Sequence, residues 1–176
     1  MSGSVPVAIA LPVYNGANYL REALDSIQSQ TYSDFEVIIS DNASTDETPQ
    51  ICHEYARRDA RIKLKRSEQF LPHAENVNRA VELCSAEWVK LFCHDDCLLP
   101  DCMARVCKFV AKCPSEVGLI GNSEQWLFAN HYRYSEADDT SPTQIWNGRA
   151  LVRQLLKGNA AAPLPSLTTA TVRKSA

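Results

Sequence analysis

The apolar residues of this chain fall into short runs and into longer stretches with helical spacing. Short runs of strand length, rich in β-branched residues, predict strands over 5–11, 35–40, 62–65, 88–93 and 117–121. Between these runs, apolar residues recur every three or four positions and predict helices over 18–30, after 44, over 74–85 and over 100–112. Strands that alternate with helices in this way indicate one α/β domain with a mostly parallel sheet.

The last third of the chain has a weaker pattern. It predicts a strand over 125–128, a helix over 148–157 and a final strand over 167–172, whereas 131–142 is polar and is predicted to be a loop. No internal repeat and no linker interrupts the sequence. We therefore treat residues 1–176 as a single domain.

Two local signals refine this prediction. Ser44 lies three residues before Glu47, which is the spacing of a capping box, so we expect Ser44 to cap the second helix. Pro6 has no backbone N–H to donate to a sheet. The first strand is therefore expected either to lie at a sheet edge or to carry the proline at its start.

Composition and charge exclude several classes of protein. Apolar residues make up 45% of the 176 positions and charged residues 22%, which is typical of a folded globular domain. The net charge of −3 gives no electrostatic reason to expect nucleic acid as a partner. No apolar run approaches the roughly 20 residues of a membrane span, so no span is predicted.

The seven cysteines predict a reducing environment. Their number is odd, no CxxC pair occurs and the N-terminus lacks a signal-peptide pattern, so we expect free thiols in a cytoplasmic protein. The group of Cys93, His94, Cys97 and Cys102 raises the alternative of a zinc site. Its spacing matches no structural zinc pattern, which makes zinc the less favoured interpretation.

Polar side chains follow three of the predicted strands at their carboxyl ends. Residues 12–15 follow the first strand, Asp41 and Asn42 follow the second, and Asp95 and Asp96 follow the strand over 88–93. Each acid alone is an ordinary turn residue. Together they predict a ligand crevice, because ligands of open parallel sheets bind beyond the carboxyl ends of the strands. Two adjacent carboxylates repel each other, and a divalent cation with oxygen ligands would relieve that repulsion.

Glycine-rich phosphate loops are missing from the sequence. Neither GxGxxG nor GxxxxGK[ST] occurs, and the chain has only six glycines. A dinucleotide-dependent dehydrogenase and a P-loop NTPase are therefore not expected. A nucleotidyltransferase is the least favoured alternative, because residues 12–16 offer neither a glycine-rich loop nor a basic residue.

Three segments resemble the N-terminal part of the family 2 glycosyltransferases, which have the A-type glycosyltransferase fold. They are LPVYNGANYLREALDSIQSQTYSDFEVIISDNASTDET, NVNRAVELCSAEWVKLFCHDD and LLPD, and the resemblance covers most of residues 5–125. It implies a three-layer α/β/α sandwich whose nucleotide-binding half is Rossmann-like. Residues 5–125 would form the nucleotide-sugar-binding part, and 126–176 would begin an incomplete acceptor-side part.

The resemblance also implies an activity. This is a metal-dependent, inverting transfer of sugar from a nucleoside diphosphate, most often uridine diphosphate (UDP), in glycan or polysaccharide assembly. The acceptor would be a glycan, a lipid-linked molecule or a protein. By similarity, Pro12 and Tyr14 would line the base pocket and Asp41 would accept a hydrogen bond from the base. Asp95 would contact the ribose or the sugar, and Asp96 would bind Mn²⁺ or Mg²⁺ on the pyrophosphate.

Four more residues complete the donor-binding set that the resemblance implies: Asn15, Asn42, His73 and Asn78. The chain departs from the family at two positions. Cys93 stands where the family usually has the first acid of a D-x-D motif, and Val77 stands where an arginine often contacts phosphate. His73 and Arg79 are the two candidates for the lost phosphate contact. His94 is interpreted as a hydrogen-bonded neighbour of the acids more readily than as a metal ligand or a base.

The general base of an inverting transfer is expected beyond Ala176. An acid must deprotonate the acceptor hydroxyl, whereas Glu136, Asp138 and Asp139 lie in a polar stretch that reads as a solvated loop. We therefore expect nucleotide binding with little transfer, and a non-catalytic nucleotide-sugar or metal-binding module is the alternative. An uncovered apolar patch is expected to favour a homo-oligomer. Candidates for an acceptor-sugar site, with core or surface packing as the alternative, are Trp126, Tyr132, Tyr134 and Trp146.

Overall fold

The structure of the protein, a computed structural model, describes residues 7–113, 119–121, 126–128, 131–133 and 170–174. The helices of this part are α1 (Leu20–Gln28), α2 (Thr48–Arg58), α3 (His73–Glu82) and α4 (Cys102–Val110). The strands are β1 (Val7–Val13), β2 (Phe35–Asp41), β3 (Ile62–Arg66), β4 (Trp88–Leu91), β5 (Leu119–Gly121), β6 (Trp126–Phe128), β7 (His131–Arg133) and β8 (Ala170–Arg173). Strands and helices alternate from β1 to β5, as the apolar pattern predicts.

Six of the strands form one sheet in the order β3-β2-β1-β4-β8-β5. The first four are parallel, and β8 runs antiparallel between β4 and β5. The prediction of a mostly parallel sheet is therefore confirmed. Strands β6 and β7 form a separate antiparallel pair. Because β1, β2 and β4 are parallel neighbours, their carboxyl ends meet at one edge of the sheet.

Two apolar layers enclose the sheet. The larger cluster joins Leu24 of α1, Ile51 of α2 and Met103 of α4 to one face of β1, β2 and β4. The smaller cluster joins Ala80 of α3 to the other face. All residues of β1, β2 and β4 are buried, which explains why these strands read as continuous apolar runs rather than as alternating patterns. The predicted three-layer sandwich is confirmed.

Of the two positions that Pro6 suggests for the first strand, the one at a sheet edge is wrong. Strand β1 lies between β2 and β4 at the centre of the sheet, not at an edge. Its described part begins at Val7, directly after the proline. Within the strand, Pro12 pairs only with β2, because the pairing with β4 stops at Ala10 and Leu91. A proline is tolerated there, since no ladder bond to β4 is required at that position.

The predicted cap of the second helix is also wrong. Helix α2 begins at Thr48, and the Ser44 hydroxyl accepts a hydrogen bond from the Asn15 amide at 2.9 Å instead of capping the helix. The Asp46 carboxylate accepts the Thr48 amide at 3.0 Å. The Ser44 hydroxyl thus bonds to the loop after β1 instead of forming the local bond to the helix that the capping-box spacing indicates.

Other differences concern element ends and the last third of the chain. Strand β4 ends at Leu91 rather than at 93, and β7 occupies part of the stretch predicted to be a loop. The predicted helix over 148–157, Trp146, Tyr134 and the acids at 136–139 lie outside the described residues. For the part of the chain that is described, no helix combines the length and the apolar character needed to cross a membrane.

Candidate functional site

The ends of β1 and β2 are joined residue by residue at the carboxyl edge of the sheet. Pro12 pairs with Ser40 and Val13 with Asp41, and the Asn42 amide donates to the Val13 carbonyl at 2.9 Å. The polar residues that follow the two strands therefore start from adjacent backbone positions. The predicted gathering of these two polar groups is confirmed.

The loop after β4 reaches the loop after β1 through His94 and Gly16. The imidazole ring of His94 packs against the Cα of Gly16 so closely that a Cβ there would overlap the ring. A Cβ would also lie 2.7 Å from a methyl group of Val13. Only glycine therefore permits this approach, which brings the loop of Asp95 and Asp96 against the loop that follows β1.

The loop after β1 is fastened to the start of α2 by three consecutive backbone amides. The amides of Asn15, Gly16 and Ala17 donate to Ser44 Oγ at 2.9 Å, Thr48 Oγ1 at 2.8 Å and Asp46 Oδ2 at 3.2 Å. Asn15 has a left-handed backbone, with φ of 48°, and its side-chain oxygen accepts the Thr45 amide at 2.9 Å. Asparagine tolerates this conformation better than most residues. Its side chain is thus already engaged in holding the two loops together.

The Asp46 carboxylate depends on these bonds for its charge. Burial opposes its ionisation, but the hydrogen bonds from Thr48 and Ala17 outweigh burial and lower its pKa. The acid is therefore ionised at neutral pH and serves the fold. The helix dipole also favours a negative charge at this end of α2.

Asp41 is the most unusual acid of the site. It is fully buried, its Oδ1 accepts the Ser44 amide at 3.1 Å, and its Oδ2 has no hydrogen-bond partner among the described residues. The Nε of Arg66 lies 3.6 Å from Oδ2, which is an ion pair but too long for a hydrogen bond. A buried acceptor without a donor is costly, by about 1–3 kcal/mol. Oδ2 therefore keeps an unused capacity to accept a hydrogen bond.

Asn42 holds the loop between β3 and α3. Its side-chain amide donates to the Leu71 carbonyl at 2.8 Å, and its side-chain oxygen accepts the Leu71 amide at 2.8 Å. The Ser67 amide adds a bond of 2.7 Å to the Asp41 carbonyl. Both polar groups of the Asn42 side chain are bonded to Leu71, so Asn42 can shape a site by positioning this loop.

An aromatic pair stands above the strand ends. The rings of Tyr14 and Phe70 meet edge to face, with centroids 4.9 Å apart and an interplanar angle of 65°. Both rings remain substantially exposed, 44% for Tyr14 and 59% for Phe70. Tyr14 is one of the residues that the sequence singles out. Phe70 was missed because it lies in a loop, where no periodic pattern assigns it a neighbour.

Helix α3 contributes His73 and Asn78, which are both exposed. His73 is the first residue of the helix, and therefore lies at the same edge as the end of β3. The Arg79 guanidinium is already engaged, since it donates to Ser40 Oγ at 2.6 Å and to the carbonyls of Lys65 and Arg66 at 3.1 Å each. The other candidate for a phosphate contact is His73, whose side chain makes no such hydrogen bond among the described residues.

Cys93, Asp95 and Asp96 form a candidate metal-binding group. One ligand atom from each lies within 4.8 Å of the other two. Burial, and secondarily the charges of Asp96 and Asp95, raise the pKa of the Cys93 thiol to about 11, so the thiol is protonated at neutral pH. The two carboxylates therefore supply the oxygen ligands of the group, and oxygen ligands suit Mg²⁺ and Mn²⁺. The zinc alternative is not supported, because among the described residues His94, Cys97 and Cys102 do not join this group.

Lys90 of β4 is a second residue that the sequence did not single out. Its side chain is 1% exposed, and burial lowers the pKa of its ammonium group, whereas the nearby Cys102 and Asp96 oppose that shift. The signal was a lysine within an apolar strand, where a charged residue needs a partner. Lys90 thus interacts electrostatically with Asp96 of the acidic loop that follows the strand.

Solved structures with this architecture are glycosyltransferases of the A-type fold. S. aureus TarS 1–349 in complex with UDP is 27% identical in sequence with a TM-score of 0.56, over 61% of this chain and 32% of TarS 1–349. The mannosyltransferase PcManGT from Pyrobaculum calidifontis, in complex with GDP-Man and Mn²⁺, is 25% identical with a TM-score of 0.59, over 70% of this chain and 36% of PcManGT. The fold of this chain is thus that of the A-type glycosyltransferases.

The chain belongs to glycosyl transferase family 2, whose pattern matches residues 8–159. Two relatives from Streptococcus pneumoniae serotype 4 are similar over 75% of this chain. Glycosyltransferase GlyG is 25% identical over 132 residues, and glycosyltransferase GlyA is 28% identical over 133 residues. The chain spans only 41% of GlyG and 18% of GlyA. It thus corresponds to one part of those relatives.

Proposed function

We propose that this chain binds the donor of a sugar transfer, a nucleoside diphosphate sugar that carries uridine. The observation that supports this best is the buried Asp41 Oδ2, for which the described residues supply no hydrogen-bond donor, at the edge where the loop of Tyr14 begins. The imide N–H of uracil is a donor of the required kind. Pro12 and Tyr14 line the base pocket, and the relative TarS has been solved with UDP.

A divalent cation completes the proposed site. Asp96 binds Mn²⁺ or Mg²⁺, and Asp95 contacts the ribose or the sugar from the same loop. When bound, the cation stabilises the negative charge that develops on the leaving diphosphate. The proximity of the two carboxylates supports this assignment, as does the Mn²⁺ in the solved complex of PcManGT.

The remaining predicted residues divide into two roles. We assign Asn15 and Asn42 to holding the loops after β1 and β3, because their side chains are bonded to the backbone. We assign His73 and Asn78 to the diphosphate side of the donor, since they are exposed on α3.

The transfer is proposed to invert the anomeric configuration, with a glycan, lipid-linked or protein acceptor in glycan or polysaccharide assembly. Each acid of the β2 and β4 ends already has a donor or metal role in this assignment. The general base is therefore proposed to come from outside the described residues. All seven cysteines are free thiols, which supports the proposal of a reducing, cytoplasmic environment.

Calorimetric titration of UDP with and without Mn²⁺ tests the donor site. We expect binding that requires the metal and that Asp96→Ala abolishes. Asp101→Ala is the matched control, because Asp101 is an exposed acid of the same segment and pairs with Arg105 instead of joining the metal group. Metal-independent binding, or equal loss in both variants, would contradict the assignment of Asp96.

A non-catalytic binding module is the second candidate, because the chain spans less than half of the two relatives described above. The two candidates differ in turnover. A transferase releases UDP slowly from a UDP-sugar with water as the acceptor, whereas a binding module leaves the donor intact. Release of UDP that stops in Asp96→Ala would favour the transferase.

A further inference from the structure

The loop between β3 and α3 is held to the end of β2 at both of its ends, and within it the Ser67 hydroxyl donates to the Gln69 carbonyl at 2.7 Å. The Ser67 amide donates to the Asp41 carbonyl at 2.7 Å, and Leu71 exchanges two bonds of 2.8 Å with the Asn42 side chain. Residues 68–70 between these points are exposed. Both anchors belong to the end of β2, so the loop is tied to the same strand end that carries the buried Asp41 carboxylate.

Phe70 is placed at the tip of this loop without an apolar pocket of its own. Its ring is 59% exposed and packs edge to face against Tyr14. An exposed phenylalanine costs free energy in water, by about 25 cal/mol for each Å² of apolar surface. A flat apolar ligand that covers the ring would recover that cost, and a nucleobase is such a ligand.

We propose that Phe70 packs against the nucleobase of the donor on the side opposite Tyr14, as the second aromatic wall of the base pocket. This inference rests on the proposed function. A base between two rings needs about 7 Å between their centroids, two contacts of about 3.5 Å. Because the centroids are now 4.9 Å apart and the ring planes meet at 65°, residues 68–70 must move outward by about 2 Å and the Phe70 ring must turn towards the plane of Tyr14, while the backbone bonds at Ser67 and Leu71 persist.

Binding of UDP and Mn²⁺ to three variants tests the role of Phe70. Loss of one base-stacking partner weakens binding by roughly 5- to 100-fold, so Phe70→Ala should weaken it within that range, through faster dissociation. Phe70→Tyr keeps a flat ring and should bind like the parent. Leu83→Ala is the control, because Leu83 is an exposed apolar residue at the other end of α3.

A second probe separates contact with the base from a general effect on the loop. Dihydrouridine diphosphate keeps the N–H and both carbonyl groups of uracil but has a puckered ring that stacks poorly. The parent should bind it more weakly than UDP, and Phe70→Ala should show a smaller difference between the two ligands. Inorganic pyrophosphate with Mn²⁺ lacks the base and should bind equally to parent and Phe70→Ala.

The outcomes distinguish this inference from the proposed function. If the parent binds no UDP, both the proposed function and the role of Phe70 are wrong. If the parent binds UDP, Asp96→Ala abolishes binding and Phe70→Ala binds equally or more tightly, only the role of Phe70 is wrong. Tighter binding would mean that the ring blocks the pocket instead of forming its wall.

Discussion

Arg66 stands beside the buried carboxylate of Asp41, with its Nε 3.6 Å from Oδ2 and its Nη2 bonded to the Ser44 carbonyl at 2.8 Å. The two residues are also register partners on β3 and β2. One guanidinium thus compensates the charge of Asp41 and fixes the turn that leads into α2. Because Nε stays beyond hydrogen-bond distance, the carboxylate keeps its acceptor capacity.

Arg66→Met should destabilise the protein because it leaves a buried charge without compensation. The Arg66 side chain is 47% exposed, so we expect about 1–2 kcal/mol rather than the larger penalty of a fully buried pair. Urea unfolding measures the change. Arg58→Met removes an exposed arginine that pairs with Glu54 on α2 and should cost less than about 1 kcal/mol. Equal costs would show that Asp41 does not depend on Arg66.

Asn42→Ala should loosen the loop between β3 and α3. The substitution removes both bonds to Leu71 and should lower the free energy of unfolding by about 1–3 kcal/mol. Hydrogen exchange at the Leu71 amide should become faster. Asn42→Asp is the matched variant, since its carboxylate still accepts that amide but repels the Leu71 carbonyl. An unchanged exchange rate in Asn42→Ala would contradict the anchoring role.

Gly16→Ala should disturb the acidic loop through His94. The new Cβ overlaps the imidazole ring and lies 2.7 Å from a Val13 methyl group, so the ring has to move, and Asp95 and Asp96 follow it in the chain. We expect Mn²⁺ affinity in the presence of UDP to fall by roughly tenfold, about 1.4 kcal/mol. The double variant Gly16→Ala/His94→Ala should recover most of the loss, because the smaller side chain removes the overlap. Failure of that rescue would mean that Val13 or the backbone is the real obstacle.

Glu36 should make stability depend on pH at the opposite edge of the sheet. Burial disfavours its charged form, but hydrogen bonds from Ser85, Lys63 and Ala86 outweigh burial and lower its pKa below the ordinary value of 4.5. A carboxyl with a lowered folded-state pKa stabilises the fold above its unfolded pKa, and that stabilisation disappears as the pH falls through the folded-state value. Parent protein should therefore lose more stability than Glu36→Gln when the pH falls from 5 towards 3. Parallel curves in urea unfolding would exclude this contribution.

The sequence predicts the layers of this fold well because β1, β2 and β4 are buried on both faces. Continuous apolar runs and helical spacing are both local signals, and they also locate the polar strand ends. The prediction that Ser44 caps α2 was wrong because a non-local contact decides the position of its hydroxyl, which accepts a hydrogen bond from the Asn15 amide in another loop.

The same limit applies to the site. Asp41, Asp95 and Asp96 are visible in the sequence because they directly follow apolar runs. The sequence does not reveal Arg66 and Phe70, because Arg66 reaches Asp41 only through the pairing of β3 with β2. Phe70 likewise meets Tyr14 only when the loop after β3 folds against the loop after β1. Lys90 gave a signal, a charge inside an apolar strand, that periodicity alone could not interpret.

The position of β8 has a consequence for the order in which the protein assembles. Val89 of β4 has Ala8 of β1 on one side and Val172 of β8 on the other. During synthesis the first neighbour is available early, whereas the second leaves the ribosome only after most of the later chain. Until then β4 has an unpaired edge, which nascent chains must protect from pairing with one another. The strand that precedes the acidic loop therefore gains its second neighbour only when β8 has been synthesised.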